Sequence, residues 1–165
     1  TMISACACVD KNMGIGYGGQ LLYRNPTDMA FFCGLTQGKL VVGGSKTLEG
    51  IKYLPNRGMV CLSKNPSNLK EPDKYLMVTQ VSKTKEIEEL ADYTGTDIVV
   101  IGGEQIYSKL SDWVEDLYLT VLKLGDEEIK EADSHFPIKL YDHLDMTEVV
   151  FENSEMTIYH AFRSR

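Results

Sequence analysis

The sequence predicts an α/β fold: a single-domain mixed, mainly parallel β-sheet with helices on both faces and an antiparallel C-terminal edge. Short apolar runs of strand length alternate with helical segments as far as residue 122. Two of these runs end in glycine pairs, Gly43-Gly44 and Gly102-Gly103, that open into helices. The final stretch, Met146 to Phe162, alternates around Asn153-Ser154 like an antiparallel pair. Alternating β and α elements need crossover connections and so favour parallel pairing, whereas a short polar turn joins antiparallel neighbours.

The strands are expected at Ile3 to Val9, Lys39 to Val42, Met59 to Leu62, Tyr75 to Val78, Asp97 to Ile101 and Leu117 to Leu122, several of them continuous enough in apolar residues to be buried on both faces. Helices are expected at Pro26 to Leu35, Ser45 to Ile51, Lys83 to Ala91 and Glu104 to Leu110. Two connections are long. Asp10 to Arg24 carries Gly14, Gly16, Gly18 and Gly19 and leads into the first helix, which predicts a mobile lid beside that helix. Lys64 to Lys74, rich in lysine and proline, reads as a solvated loop.

Composition sets the outer bounds. A chain of 165 residues with 43% hydrophobic content can bury a core without metals or disulfides, so one domain spanning 1–165 is expected. The net charge of -7 and the lack of a Lys/Arg block argue against nucleic acid and against a membrane surface. No run reaches membrane-span length and the start lacks a basic, signal-like region, so a cytoplasmic protein is expected. Cys6, Cys8, Cys33 and Cys61 have apolar neighbours and no C-x-x-C spacing, and read as buried free thiols. His135, His143 and His160 show no ligand spacing, and no metal is expected.

The first helix holds an acid among apolar residues. Asp28 is followed by Phe31, Phe32 and Leu35 at i+3, i+4 and i+7, which places its carboxylate on the buried side. An ionised carboxylate removed from water is costly without a partner, and no basic residue lies within a turn of it, so a ligand can be the partner. Capping is a sufficient account of this segment alone: Asn25 suits the N-cap, Pro26 suits N1, and an acid at N3 suits the helix dipole.

The glycine junctions add what capping leaves out. In Val41-Val42-Gly43-Gly44-Ser45-Lys46-Thr47 a strand meets two glycines, two hydroxyls and a lysine, a backbone surface that attracts phosphate. The spacing fails the Walker A pattern, so a nucleotide triphosphatase is a poor reading. Val99-Val100-Ile101-Gly102-Gly103-Glu104-Gln105-Ile106-Tyr107 repeats the arrangement without the three-glycine dinucleotide fingerprint. Two such junctions in one small α/β chain point to a dinucleotide lying across strand ends.

Six motifs in order resemble dihydrofolate reductases across nearly the whole chain. Asn12-Met13-Gly14-Ile15-Gly16 is similar to the family's N-x-G-I-G loop, and Asp28 with Phe31-Phe32 to its acid-bearing helix. Gly44 to Thr47 is similar to G-x-x-T, Leu54-Pro55-Asn56-Arg57 to L-P-x-R, Ile101 to Tyr107 to I-G-G-x-x-I-Y, and Asp133 to Pro137 to D-x-x-F-P.

The resemblance implies NADPH-dependent reduction of 7,8-dihydrofolate to tetrahydrofolate, with hydride passing to pterin C6 and a proton to N5, in support of one-carbon and thymidylate metabolism. It implies a monomer that binds antifolate inhibitors. Asp28 would anchor the pterin's N3-H and 2-amino pair, positioned by Thr120, while Tyr23 at the lid's end orders water. Cys6, Ala7 and Cys8 would border the pterin; Met29, Phe32 and Ile51 would wall the ring system; Ile101 would accept from the pterin; Arg57 would grip the glutamate carboxylate. The cofactor would lie along Ala7, Ile15, Gly16, Gly44, Ser45, Lys46, Thr47, Leu62, Ser63 and Lys64, and along Gly102, Gly103, Glu104, Gln105, Ile106 and Tyr107.

Two positions depart from the family pattern. Leu21-Leu22-Tyr23 stands where Leu-Pro-Trp is usual, and Ser45 where a basic residue often meets the 2'-phosphate, leaving Lys46 and Lys64 as the nearby cations. Two other readings stay open on sequence: a reductase of the same fold acting on another heterocycle, such as a riboflavin-pathway pyrimidine, and a binding protein that keeps the fold without turnover.

Overall fold

The structure is a computed structural model that describes residues 1–51 and 55–164. Leu54 of the expected L-P-x-R segment lies outside the described residues. Strands β1 (Ile3–Val9), β4 (Leu40–Gly44), β5 (Gly58–Leu62), β6 (Met77–Thr79), β7 (Ile98–Val100), β8 (Asp116–Leu122), β10 (Met146–Glu152) and β11 (Met156–Phe162) form one sheet in the order β10-β11-β8-β1-β7-β4-β5-β6. All pairings from β8 to β6 are parallel, and β11 and β10 complete the edge antiparallel. The mainly parallel sheet with an antiparallel edge is therefore observed.

Side-chain alternation divides the core. Ile3, Ala5 and Val9 of β1, Leu40 and Val42 of β4, Ile98 and Val100 of β7 and Leu117 and Leu119 of β8 share one face. That face is covered by α3 (Thr84–Thr94), α4 (Glu104–Lys109) and α5 (Ile138–Asp142), through Ile87, Ala91, Tyr107, Leu110 and Leu140. Cys6, Val41, Val99 and Tyr118 point to the other face, under α1 (Pro26–Thr36) and α2 (Ser45–Glu49). The period of two thus assigns each strand residue to one helical layer or the other. Helix α3 stops at Gly95, whose φ of 69° is left-handed and whose N–H caps Ala91 and Asp92 carbonyls.

Most expected boundaries hold to within a residue or two, with physical reasons for the shifts. Strand β6 starts at Met77 because Pro66 and Pro72 each open a 3-10 turn and hold the preceding segment out of the sheet. Helix α3 runs three residues past Ala91 before Gly95 ends it. The segment expected to be a mobile lid carries strands: β2 (Gly14–Tyr17) and β3 (Gln20–Leu21) form a hairpin, and β9 (Ser134–His135) pairs with β2 to make a second, three-stranded sheet. The turn residues Gly18 and Gly19 both have positive φ, as a tight hairpin requires. Neither β9 nor α5 was visible as a periodic pattern, being two and five residues long.

Candidate active site

Helix α1 begins as its sequence dictates, and its cap leaves Asp28 free for other work. The Asn25 side chain accepts from Thr27 N at 2.8 Å and Asp28 N at 3.2 Å, with Pro26 in the first turn. Capping is thus done by Asn25. The Asp28 carboxylate is half-buried, and the Thr120 hydroxyl and the Cys8 thiol are the side chains that favour its charged form. Cys8 and Thr120 are register partners on β1 and β8. Burial pushes the Asp28 carboxyl up, and the two donors pull it partly back.

The helix itself is apolar yet incompletely covered. Phe31, Phe32 and Leu35 are half-buried, Met29 is 41% exposed, and Thr36 is the residue of α1 that is fully buried. Phe32 and Leu35 pack against the buried cluster that contains Cys6, Leu48 and Ile101, and the Phe31 ring centre lies 5.9 Å from that of Tyr118. Half-covered apolar side chains around a buried acid describe the wall of a cleft for a flat, partly polar ring. Ile51 joins this cluster from the end of α2, where the Lys74 ammonium ties the Leu48 and Ile51 carbonyls at 2.6 and 2.8 Å. A depression of 860 Å³ lined by Glu49, Gly50, Ile51 and Lys70 to Lys74 contains none of the Asp28 partners.

Strand ends β4 and β7 bring the two glycine pairs together. Gly44 N donates to the Gly102 carbonyl at 2.9 Å, and a Cβ on Gly43 would stand 3.2 Å from that same oxygen. Gly102 has φ +113°, and a Cβ there would lie 3.0 Å from the Tyr107 ring. A Cβ on Gly103 would meet Thr47 Oγ1 at 3.5 Å. The result is a continuous backbone surface at the carboxyl ends of parallel strands, where a dinucleotide can approach closely. Ser45 and Thr47 are half-buried beside it, and Lys46 and Lys64 are exposed cations. This donor set fits a pyrophosphate and an added phosphate.

The expected cofactor residues divide by environment. Ile15 and Gly16 are buried in the lid sheet, and Leu62 is buried in the core at 5% exposure. Ser63 bonds its own turn, accepting from Asn65 N at 3.2 Å. Gln105 is exposed and Ile106 is half-buried. Glu104 accepts from His135 N at 2.7 Å, joining α4 to the lid sheet. Tyr107 is buried, donates to the Cys6 carbonyl at 2.6 Å and packs on Phe136 at 4.9 Å. Its hydroxyl thereby holds the strand whose next residue, Ala7, is half-buried.

Arg57 lies at the other end of α1. Its Nε donates to Thr36 Oγ1 at 2.8 Å, Nη1 to the Pro55 carbonyl at 2.6 Å, and Nη2 to the Cys33 carbonyl. Helix α1 has no basic residue in its last turn, and Arg57 supplies that cation from outside the helix. Three bonds leave part of a five-donor fork for a carboxylate.

Known proteins match this chain over most of its length. The dihydrofolate reductase family model matches residues 2–162. The chain belongs to the dihydrofolate reductase family. It is 33% identical over 137 residues to the dihydrofolate reductase of Bacillus subtilis, covering 82% of this chain and 76% of that one. It is 31% identical over 139 residues to that of Neisseria meningitidis, covering 83% and 78%. A solved dihydrofolate reductase from Enterococcus faecalis, complexed with NADP(H) and RAB-propyl, superposes with a TM-score of 0.76 at 24% identity, over 99% of this chain and 97% of that one.

The lid's exit is held by Tyr23. Tyr23 donates its hydroxyl to Asp10 Oδ2 at 2.6 Å and accepts from Lys130 N at 3.1 Å. Neither Asp10 nor Lys130 was singled out from sequence. Asp10 carried a legible signal, an acid two residues before Asn12 and four before Gly14 at a strand end, where aspartate commonly caps a turn. Lys130 is distant in sequence and carried none.

Proposed function

We propose that this family member reduces 7,8-dihydrofolate to 5,6,7,8-tetrahydrofolate with NADPH, and that Asp28 is the residue on which substrate binding turns. The supporting observation is the placement of Asp28: a half-buried carboxylate beside the Thr120 hydroxyl and the Cys8 thiol, with no salt bridge among the described residues and half-buried Phe32, Leu35 and Ile51 in the apolar cluster nearby. A pterin's N3-H and 2-amino group supply the two charge-assisted bonds that such a carboxylate lacks. Thr120 and Cys8 hold the carboxylate in orientation. Phe32, Met29 and Ile51 exclude water from the ring faces, and Cys6, Ala7, Cys8 and Ile101 border its edge. Arg57 takes the substrate's glutamate carboxylate with its remaining donors.

NADPH, when bound, supplies the hydride from nicotinamide C4 to pterin C6. The residues that hold it are Gly43 and Gly44 with Gly102 and Gly103 at the backbone, Ser45 and Thr47 by hydroxyl, and Lys46 and Lys64 by charge. Asp28 polarises the pterin while an ordered water at the cleft delivers the proton to N5, and Tyr23 forms the aromatic side of that cleft. We also propose that residues 1–165 act as one domain, as a monomer in the cytoplasm, and that antifolates compete for the Asp28 cleft. Among the described residues no helix is long and apolar enough to cross a membrane.

The test is loss of reduced-nicotinamide absorbance on mixing protein, NADPH and dihydrofolate, with an antifolate control. Antifolate-sensitive oxidation supports the reading. Tight folate binding without oxidation would replace it with a binding role, and neither response would point to another heterocycle.

A further inference from the structure

Asp10 is 1% exposed, and its three hydrogen-bond partners are neutral: Asn12 N at 2.9 Å and Gly14 N at 3.1 Å on Oδ1, and the Tyr23 hydroxyl at 2.6 Å on Oδ2. Gly14 opens the lid hairpin and Tyr23 follows its last strand. One buried carboxylate therefore clasps both ends of the hairpin. A buried charge held only by dipoles depends on every one of them, since removing a donor leaves the charge under-solvated.

The rest of the lid's exit is organised around the same clasp. Leu22 is buried at 6% exposure, and its N–H donates to the Ile15 carbonyl at 3.2 Å, a bond that a proline at this position cannot make. The Leu22 carbonyl accepts from Lys130 Nζ at 3.1 Å. Lys130 also lies 5.8 Å from the centre of the Tyr23 ring. Tyr23 packs with Cys8 and Phe31 against Leu122, Met156 and Ile158, so the ring stands in the cluster that contains the thiol donor to Asp28.

We propose that Asp10 is a positioning residue for hydride transfer: by clasping Gly14 and Tyr23 it fixes the lid hairpin and holds the Tyr23 ring beside Cys8 and Asp28. This rests on the reading that Asp28 and Tyr23 border the pterin. The phenol and the Leu22 amide tie the lid's exit to Asp10 and to Ile15.

The experiment uses the full chain with D10N, Y23F and the double variant. Single-turnover hydride transfer, KM for dihydrofolate and limited proteolysis of the Tyr17 to Gln20 turn are measured on each. Each single change is expected to slow hydride transfer about tenfold, the worth of one hydrogen bond to a charged group, with KM changed by less than about twofold. The double variant is expected to be no slower than the worse single one, because both remove one interaction. All three are expected to be cut faster at the turn. Losses that multiply to about a hundredfold, or faster cutting with hydride transfer unchanged, would overturn the proposal. If D10N fails to fold, Y23F with Y23W carries the test: Y23W lacks the phenol and is expected to be as slow as Y23F, and wild-type hydride transfer in either would overturn the clasp. A wild-type protein inert toward dihydrofolate is a different result, which removes the parent reading.

Discussion

Cys8 and Thr120 stand opposite each other on adjacent parallel strands, and both favour the charged form of the Asp28 carboxylate. The six-pair register of β1 and β8 thereby fixes the two groups beside each other. The remaining acceptor capacity of the carboxylate is directed to the cleft. From this arrangement the chemistry of the site can be varied one group at a time.

Replacing the acid separates activity from stability. Asp28→Asn keeps the shape but loses the charge, and turnover at neutral pH is expected to fall roughly a hundredfold, from about 3 kcal/mol of charge-assisted bonding. Stability moves the other way. Burial raises the folded-state pKa of Asp28, so its charged form costs stability above that pKa, and the cost is relieved as pH falls through it. Thermal unfolding should show D28N more stable than wild type at neutral pH, with the gap closing in acid. A variant destabilised at every pH would contradict the burial effect.

The thiol's role is readable in a pH profile. Cys8 is itself pushed well above the usual thiol range by burial and by Asp28, so it acts as a neutral donor. Removing it in C8A takes away a bond that lowers the Asp28 pKa, and the acid limb of kcat/KM against pH should move to higher pH. C8S retains a donor and should restore the limb. Identical profiles for C8A, C8S and wild type would show that the thiol does not touch the titration.

The glycine cradle predicts a cofactor defect without a folate defect. Gly43→Ala places a Cβ 3.2 Å from both the Gly102 carbonyl and Ile101 Cγ1, in a buried strand end where neither can retreat far. Overpacking of this kind costs about 1–3 kcal/mol. Calorimetric titration should show NADPH binding weakened about tenfold or more, with folate binding reduced less. Equal losses would place Gly43 in general packing.

Charge beside the cradle predicts selectivity. Lys46→Ala and Lys64→Ala should each weaken NADPH more than NADH, and the difference should shrink at high salt, as screening requires for exposed charges. Equal effects on both cofactors would exclude a 2'-phosphate contact.

How much of this could be read from the chain differs by element. Strand β1 matched its expected bounds, and every central strand was legible, because burial on both faces leaves unbroken apolar runs. Asp28 was legible as an acid out of place, and the glycine pairs as backbone without side chains. What stayed hidden was tertiary. Within the lid, β2 finds a third strand in Ser134–His135, more than a hundred residues away. The Tyr23 hydroxyl finds Asp10 by the same folding, and Arg57 reaches back 21 residues to Thr36. Spacing within one segment carries no trace of such partners.

The most direct test of the central claim uses NADPH deuterated at the transferring nicotinamide position, with dihydrofolate and the wild-type chain. Mass analysis is predicted to find one deuterium in tetrahydrofolate, at C6, and about a hundredth as much labelled product when Asp28 is Asn on the same timescale. Oxidation of the cofactor with no deuterium in the pterin would contradict the account.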